Sequence, residues 1–261
     1  MVFSSSVFFM AFLPVTVFIY FLIPERFLRA RNLWLLAASL LFYGWGEPKY
    51  IAVMAFSIVF NYVFGRVIGH LRETADRETT LPAAEDNANS LTGDRVGGAE
   101  NAAGQAYSAA DIAENDNRKI LRRAKLAMVL CVIGNLAILG FFKYTDFLIG
   151  TVNDLLGGQL SLLHIALPIG ISFYTFQTMS YIIDVYWGKV PAQKDFIAFA
   201  AYVTLFPQLI AGPIVRYADV AVMLVGRKTH AEQVAEGIRR FIIGFGKKVL
   251  LANQVYVIWN E

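Results

Sequence analysis

Residues 196–211, FIAFAAYVTLFPQLIA, run without a single charge and yet contain Pro207, and Gly212 and Pro213 follow directly. A helix in lipid satisfies every backbone hydrogen bond within itself, so a proline inside such a run frees carbonyls that need protein or cavity water as partners. The stretch therefore predicts irregular backbone lining a cavity. A short polar hairpin joins it to the preceding apolar run, Leu167 to Val185.

The chain is 57% hydrophobic and 16% charged, far more apolar than a globular domain of this length. An integral membrane protein is expected. The net charge of +3 is uneven, because ten of the twenty acidic residues lie between Arg72 and Arg118 against four basic ones. Elsewhere nineteen basic residues face ten acidic ones and flank apolar runs, which sets orientation in a membrane and does not suit nucleic acid. The lone Cys131 lies in an apolar run, leaving neither a disulfide framework nor paired metal ligands. MVFSSS carries no Lys or Arg, so the first run reads as a retained span, not a cleaved signal.

The expected fold is an all-α polytopic membrane protein with about six to seven membrane helices, one of them re-entrant or tilted, and a disordered cytoplasmic loop. Val7 to Ile23, Leu33 to Trp45 and Tyr50 to Ile68 are the first spans, and Arg26, Arg29 and Arg31 place the first connection in the cytoplasm and the N-terminus outside. Residues 1–71 form this N-terminal set. The 72–118 stretch, rich in Ala, Asn, Glu, Asp and Gly, lacks the apolar content to offset chain entropy and reads as a disordered cytoplasmic insertion. Residues 119–261 form the membrane core: a span Leu126 to Phe142, an outer interfacial segment from Tyr144 to Leu163, and the two runs described above. The basic count after it, from Arg216 to Arg240, makes 196–211 re-entrant with both ends cytoplasmic. An amphipathic helix over 230–240 is expected, with Thr229 and Glu232 capping its start. GFGKK lacks the glycine spacing and hydroxyl of a phosphate-binding loop and introduces a final helix.

Three motifs, LPIGISFYTFQ, YIIDVYWG and FPQLIAGPIVRY, resemble the bacterial alginate O-acetyltransferase branch of the membrane-bound O-acyltransferases. That resemblance implies acetyl transfer toward an exopolysaccharide at the bacterial inner membrane. Acetyl-CoA or another acyl-carrier thioester would be the cytoplasmic donor, and no cofactor would be bound. Periplasmic polysaccharide-acetylating proteins would be partners beside the lipid bilayer. On the matching residues, Pro207, Gln208, Gly212, Pro213 and Arg216, together with Gln177 in the preceding span, become substrate-path candidates. Gln208 would face the cavity, a role compatible with bonding the carbonyls freed by Pro207 and Pro213, and Arg216 would attract donor phosphates or anchor the interface.

An acyltransferase acting on a hydroxyl needs a base, and histidine is the usual one. His70 adjoins the insertion, His164 closes an outer segment and His230 begins a surface helix, so each reads as a surface histidine. The histidine regarded as catalytic in the family follows a later Trp-His motif that is absent before Glu261. The chain is therefore expected to be the family's N-terminal half. A catalytically inactive fragment or membrane scaffold is the alternative, and a transporter would need paired intramembrane charges that are missing.

Overall fold

The computed structural model describes residues 5, 7–90, 99–157, 160–209, 214–227, 229–252, 254–255 and 259, with side chains described outside 78–114. Every regular element among them is helical. A π-helical turn, Phe8–Phe12, leads into α1 (Leu13–Leu22); α2 is Leu28–Gly46, α3 Ile51–Ser90 and α4 Ala99–Leu156. After an extended stretch come α5 (Ile171–Tyr186), α6 (Phe196–Thr204), the single turn α7 (Phe206–Leu209), α8 (Tyr217–Val225) and α9 (Ala231–Lys247).

The packing of α3 against α4 inverts the soluble-protein pattern. Phe56, Val59, Val63 and Val67 on α3 and Leu126, Leu130, Ile133 and Phe141 on α4 face outward at helical spacing, while Ser57, Asn61 and Asn135 are buried. Apolar outside and amide inside is the arrangement a lipid solvent selects. Two segments, Pro48–Arg77 and Asn115–Leu156, are long and apolar enough to cross a membrane, and Phe8–Leu22 is a shorter apolar helix. Among the described residues no other helix combines that length with that apolarity: α2 has 19 residues but carries Arg29, Arg31 and Asn32 near its start.

Asn61 and Asn135 exchange hydrogen bonds, each Nδ2 donating to the other's Oδ1 at 2.9 and 2.8 Å, and Asn135 also donates to the Cys131 carbonyl. Changing Asn61 alone to leucine leaves Asn135 short of a partner inside the bundle, at a cost of about 1–3 kcal/mol. Changing both to leucine should recover most of that loss. Thermal unfolding of the solubilised protein, ranking wild type above the double variant and the double above the single, checks this; a double variant less stable than either single would refute it.

Small residues let α5 and its flank sit close. A Cβ on Gly65 would lie 2.8 Å from the Tyr181 ring, and one on Gly69 would lie 2.3 Å from the Ala192 Cβ. A second cluster holds the π-helical turn before α1, and α2, to α7: the rings of Phe8, Phe12, Phe42 and Phe206 meet with centroids 5.3 to 6.1 Å apart. Each such pair contributes about 0.5–1.5 kcal/mol beyond its area.

Several boundaries differ from the sequence reading. Helix α2 begins at Leu28, so Arg29 and Arg31 are helical and not part of a loop. Helix α4 does not end at Phe142 but continues to Leu156. No proline intervenes, and the Thr145 and Thr151 hydroxyls fold back onto the Phe141 and Phe147 carbonyls instead of ending the helix. Residues 160–166 then run back beside it. Asp146 accepts the backbone N–H groups of Leu163, His164 and Ile165, and Asn153 bonds both backbone groups of Leu160. Within the expected insertion, backbone is helical up to Ser90 and again from Ala99, and residues 91–98 lie outside the described residues. Composition there argued only against a packed core; alanine and glutamate favour helix regardless. At α9 the N-cap is His230 without a side-chain cap, because Thr229 is engaged elsewhere.

Candidate functional site

The 196–211 run is broken one residue earlier than its proline suggests. Helix α6 starts on Asp195, whose carboxylate accepts from the Ile197 and Ala198 N–H groups, and ends where Leu205 turns to extended backbone. The Phe206 N–H, freed from the helix, donates to the Ser39 hydroxyl of α2 at 3.2 Å. The carbonyl it would have bonded, Tyr202 O, is buried and receives two amide donors, Gln177 Nε2 at 3.2 Å and Gln208 Nε2 at 2.6 Å. Both glutamine candidates thus converge on one carbonyl.

The excursion from Asp195 to Arg227 leaves and returns at the same end of α2. Arg29 pairs with Asp195 at 3.1 Å, the Asn32 amide donates to Leu224 O at 3.1 Å, and Arg227 donates to Asn32 Oδ1 at 3.2 Å and to the Tyr20 hydroxyl at 2.8 Å. Just beyond, Glu25 accepts from the Thr229 hydroxyl and N–H. The hydroxyl bond first, and the backbone bond after it, hold the Glu25 carboxyl below its ordinary range. Leu209 lies against Gly170 at the start of α5, whereas the far end of α5 meets Arg72 through Gly188. Helix α5 is about 24 Å long at 1.5 Å per residue, so the excursion spans much of the fold's thickness.

Between α2, α6 and α8 the excursion borders a partly open chamber of about 220 Å³ lined by Asn32, Tyr202, Gln208, Met223, Leu224 and Arg227 among others. Gln208 therefore faces a cavity and bonds a freed carbonyl at once. Pro207 is exposed and turns the other way, into an apolar groove with Phe8, Phe206, Phe241 and Lys248. Gln177 is fully inside, away from the chamber lining. Arg216 is exposed at the start of α8 and lines none of these spaces. Gly212 and Pro213 lie outside the described residues. Asp184 is buried and pairs with Lys189 at 3.7 Å. His70, His164 and His230 are all exposed and none reaches the chamber.

Asn32 and Arg227, the chamber's polar wall, carried no signal in the sequence, since each looks like an ordinary residue near a helix end.

Similarity to known proteins extends over nearly the whole chain. The probable alginate O-acetylase AlgI of Pseudomonas aeruginosa is 38% identical over 97% of this chain, and that of Azotobacter vinelandii 35% identical over 98%. The chain is thus similar along nearly its whole length to proteins named as alginate O-acetylases. This O-acetylase-like chain is also 27% identical to a peptidoglycan O-acetyltransferase of Helicobacter pylori. It spans 40%, 42% and 45% of the length of these three relatives. No family model and no solved structure matches the O-acetylase-like chain.

Proposed function

We propose that the chain forms the donor-side chamber of a membrane O-acetyltransferase that delivers acetyl groups toward an alginate-like exopolysaccharide. The observation that carries the reading is the broken helix roofing a chamber with an amide and a guanidinium in its wall, in a chain similar along its length to named alginate O-acetylases. The donor is acetyl-CoA or another acyl-carrier thioester, entering from the cytoplasm. Partners are periplasmic polysaccharide-acetylating proteins, and the site is the bacterial inner membrane with the N-terminus periplasmic.

In this reading 196–227 is re-entrant, because its two flanks dock on one end of α2. Gln208 and Arg227 orient the thioester end of the donor by hydrogen bonds. The general base is assigned to none of the three exposed histidines. That same exposure favours a second reading, a scaffold that does not itself turn over.

Substituting residues 1–261 for the aligned stretch of the Pseudomonas aeruginosa relative, in cells lacking that relative, tests the function. Acetyl esters on secreted alginate are the expected result; a chimera that inserts stably yet restores none would overturn it. Topology is separable: cysteines placed at Lys189 and His230 should both label from the cytoplasmic side, and labelling from opposite sides would remove the re-entrant element.

A further inference from the structure

Beside the chamber, at the end of α2 where the excursion leaves and returns, lies a larger crevice of about 650 Å³. Arg26, Arg29, Lys194, Gln193 and Asp195 line it, and Asn32 and Leu224 form the wall it shares with the chamber. Its charge is uneven. Asp195 is occupied by Arg29 and by the start of α6, and neighbouring Glu25 by Thr229 and, at 3.8 Å, Arg31. Arg26 stacks on Phe27, and neither it nor Lys194 has a carboxylate within ion-pair distance among the described residues.

Gln193 supplies a second, independent sign. The residue is only 7% exposed; its Oε1 accepts from the Asp195 N–H and its backbone N–H donates to the Tyr181 hydroxyl, yet its Nε2 has no partner among the described residues. A buried amide donor without an acceptor is costly to keep, and an acceptor supplied from outside is one way such a group is satisfied.

We infer that this crevice is a binding site for a phosphate group, with Arg26 and Lys194 supplying the charge and Gln193 Nε2 a neutral donor. Phosphate oxygens take charge-assisted bonds from guanidinium and ammonium groups together with amide bonds. The Asp195 carboxylate in the lining is paired with Arg29 at 3.1 Å and accepts the first N–H groups of α6, which lessens its repulsion of the ligand. Two sources offer such a group next to a membrane: a soluble phosphopantetheine-type thioester and the headgroup of an anionic lipid.

The test uses the 1–261 chain in nanodiscs of neutral phosphatidylcholine and, in parallel, of phosphatidylcholine with phosphatidylglycerol. Coenzyme A binding is measured by equilibrium dialysis in the neutral discs, and phosphatidylglycerol retention by native mass spectrometry in the mixed ones. Arg26→Gln combined with Lys194→Gln should weaken the phosphate ligand at least tenfold and flatten its salt dependence. Gln193→Glu, which keeps the size and the Asp195 bond but replaces the donor with an acceptor, should weaken it similarly, with far-ultraviolet circular dichroism confirming intact helices. Loss of coenzyme A binding, with pantetheine too weak to measure in every form, assigns the site to the soluble donor. Loss confined to phosphatidylglycerol assigns it to lipid. Coenzyme A and phosphatidylglycerol binding that are both unchanged in the folded variants, or absent from the wild type, overturn the site. The proposed acetyl transfer is judged separately by the chimera, which could succeed while this site fails.

Discussion

Gly170→Ala should cost the protein more than Gly188→Ala, and should do so by dislodging Leu209. Two penalties coincide at this position. Gly170 has φ +77°, where a Cβ costs about 1–2 kcal/mol. The new Cβ would also lie 2.6 Å from the Leu209 carbonyl oxygen, a backbone atom that no rotamer change can move aside. Gly188 provides the control: its φ is +71°, but a Cβ there meets only the Arg72 guanidinium at 3.0 Å, the mobile end of a long side chain. Gly188→Ala thus reports the backbone penalty alone, and the difference between the two variants reports the clash. Unfolding measurements should place Gly170→Ala below Gly188→Ala, with hydrogen exchange at Gln208 and Leu209 raised only in the former. Equal losses would mean that the Gly170–Leu209 approach contributes nothing.

The second large effect is a failure of additivity at the Tyr202 carbonyl. Gln177→Leu and Gln208→Leu each remove one of its two donors and leave the other, so each single change should cost about 0.5–1.5 kcal/mol. The double variant strands a buried carbonyl and should exceed the sum of the singles by about 1–2 kcal/mol, within the coupling expected of groups sharing a partner. Strict additivity would show that the carbonyl finds a replacement donor and that the two amides act independently. The pair also separates the roles of Gln208. As a chamber residue it should lower acetyl transfer in the chimera even as a single variant, while Gln177→Leu, outside the chamber lining, should leave transfer near wild type at temperatures where both fold.

What could be read from the residues follows the range of the interactions involved. The apolar runs and the Pro207 break are local, and they located α1 to α5 and the irregular backbone. Even the Gln208 bond to a freed carbonyl was foreseeable, because the carbonyl and its donor are six residues apart. Leu205 as the point of breakage was not, since it depends on Ser39 capturing the Phe206 N–H from another helix. The continuation of α4 was hidden for the same reason: Thr145 and Asp146 look like a helix end until the returning 160–166 segment supplies Asp146 with three N–H groups. Arg227 meets Tyr20 and Asn32 across about two hundred positions, and nothing in its neighbourhood announces them. Arg216, singled out by its motif, lies exposed, whereas the cations lining the crevice are Arg26, Arg29 and Lys194.

The wall shared by crevice and chamber includes a single polar side chain, Asn32, pinned by one bond to Leu224 O and one from Arg227. Asn32 is only 2% exposed, so one buried amide both divides the two spaces and ties α2 to the end of α8. Any change at that position would therefore loosen the partition and the helix contact together.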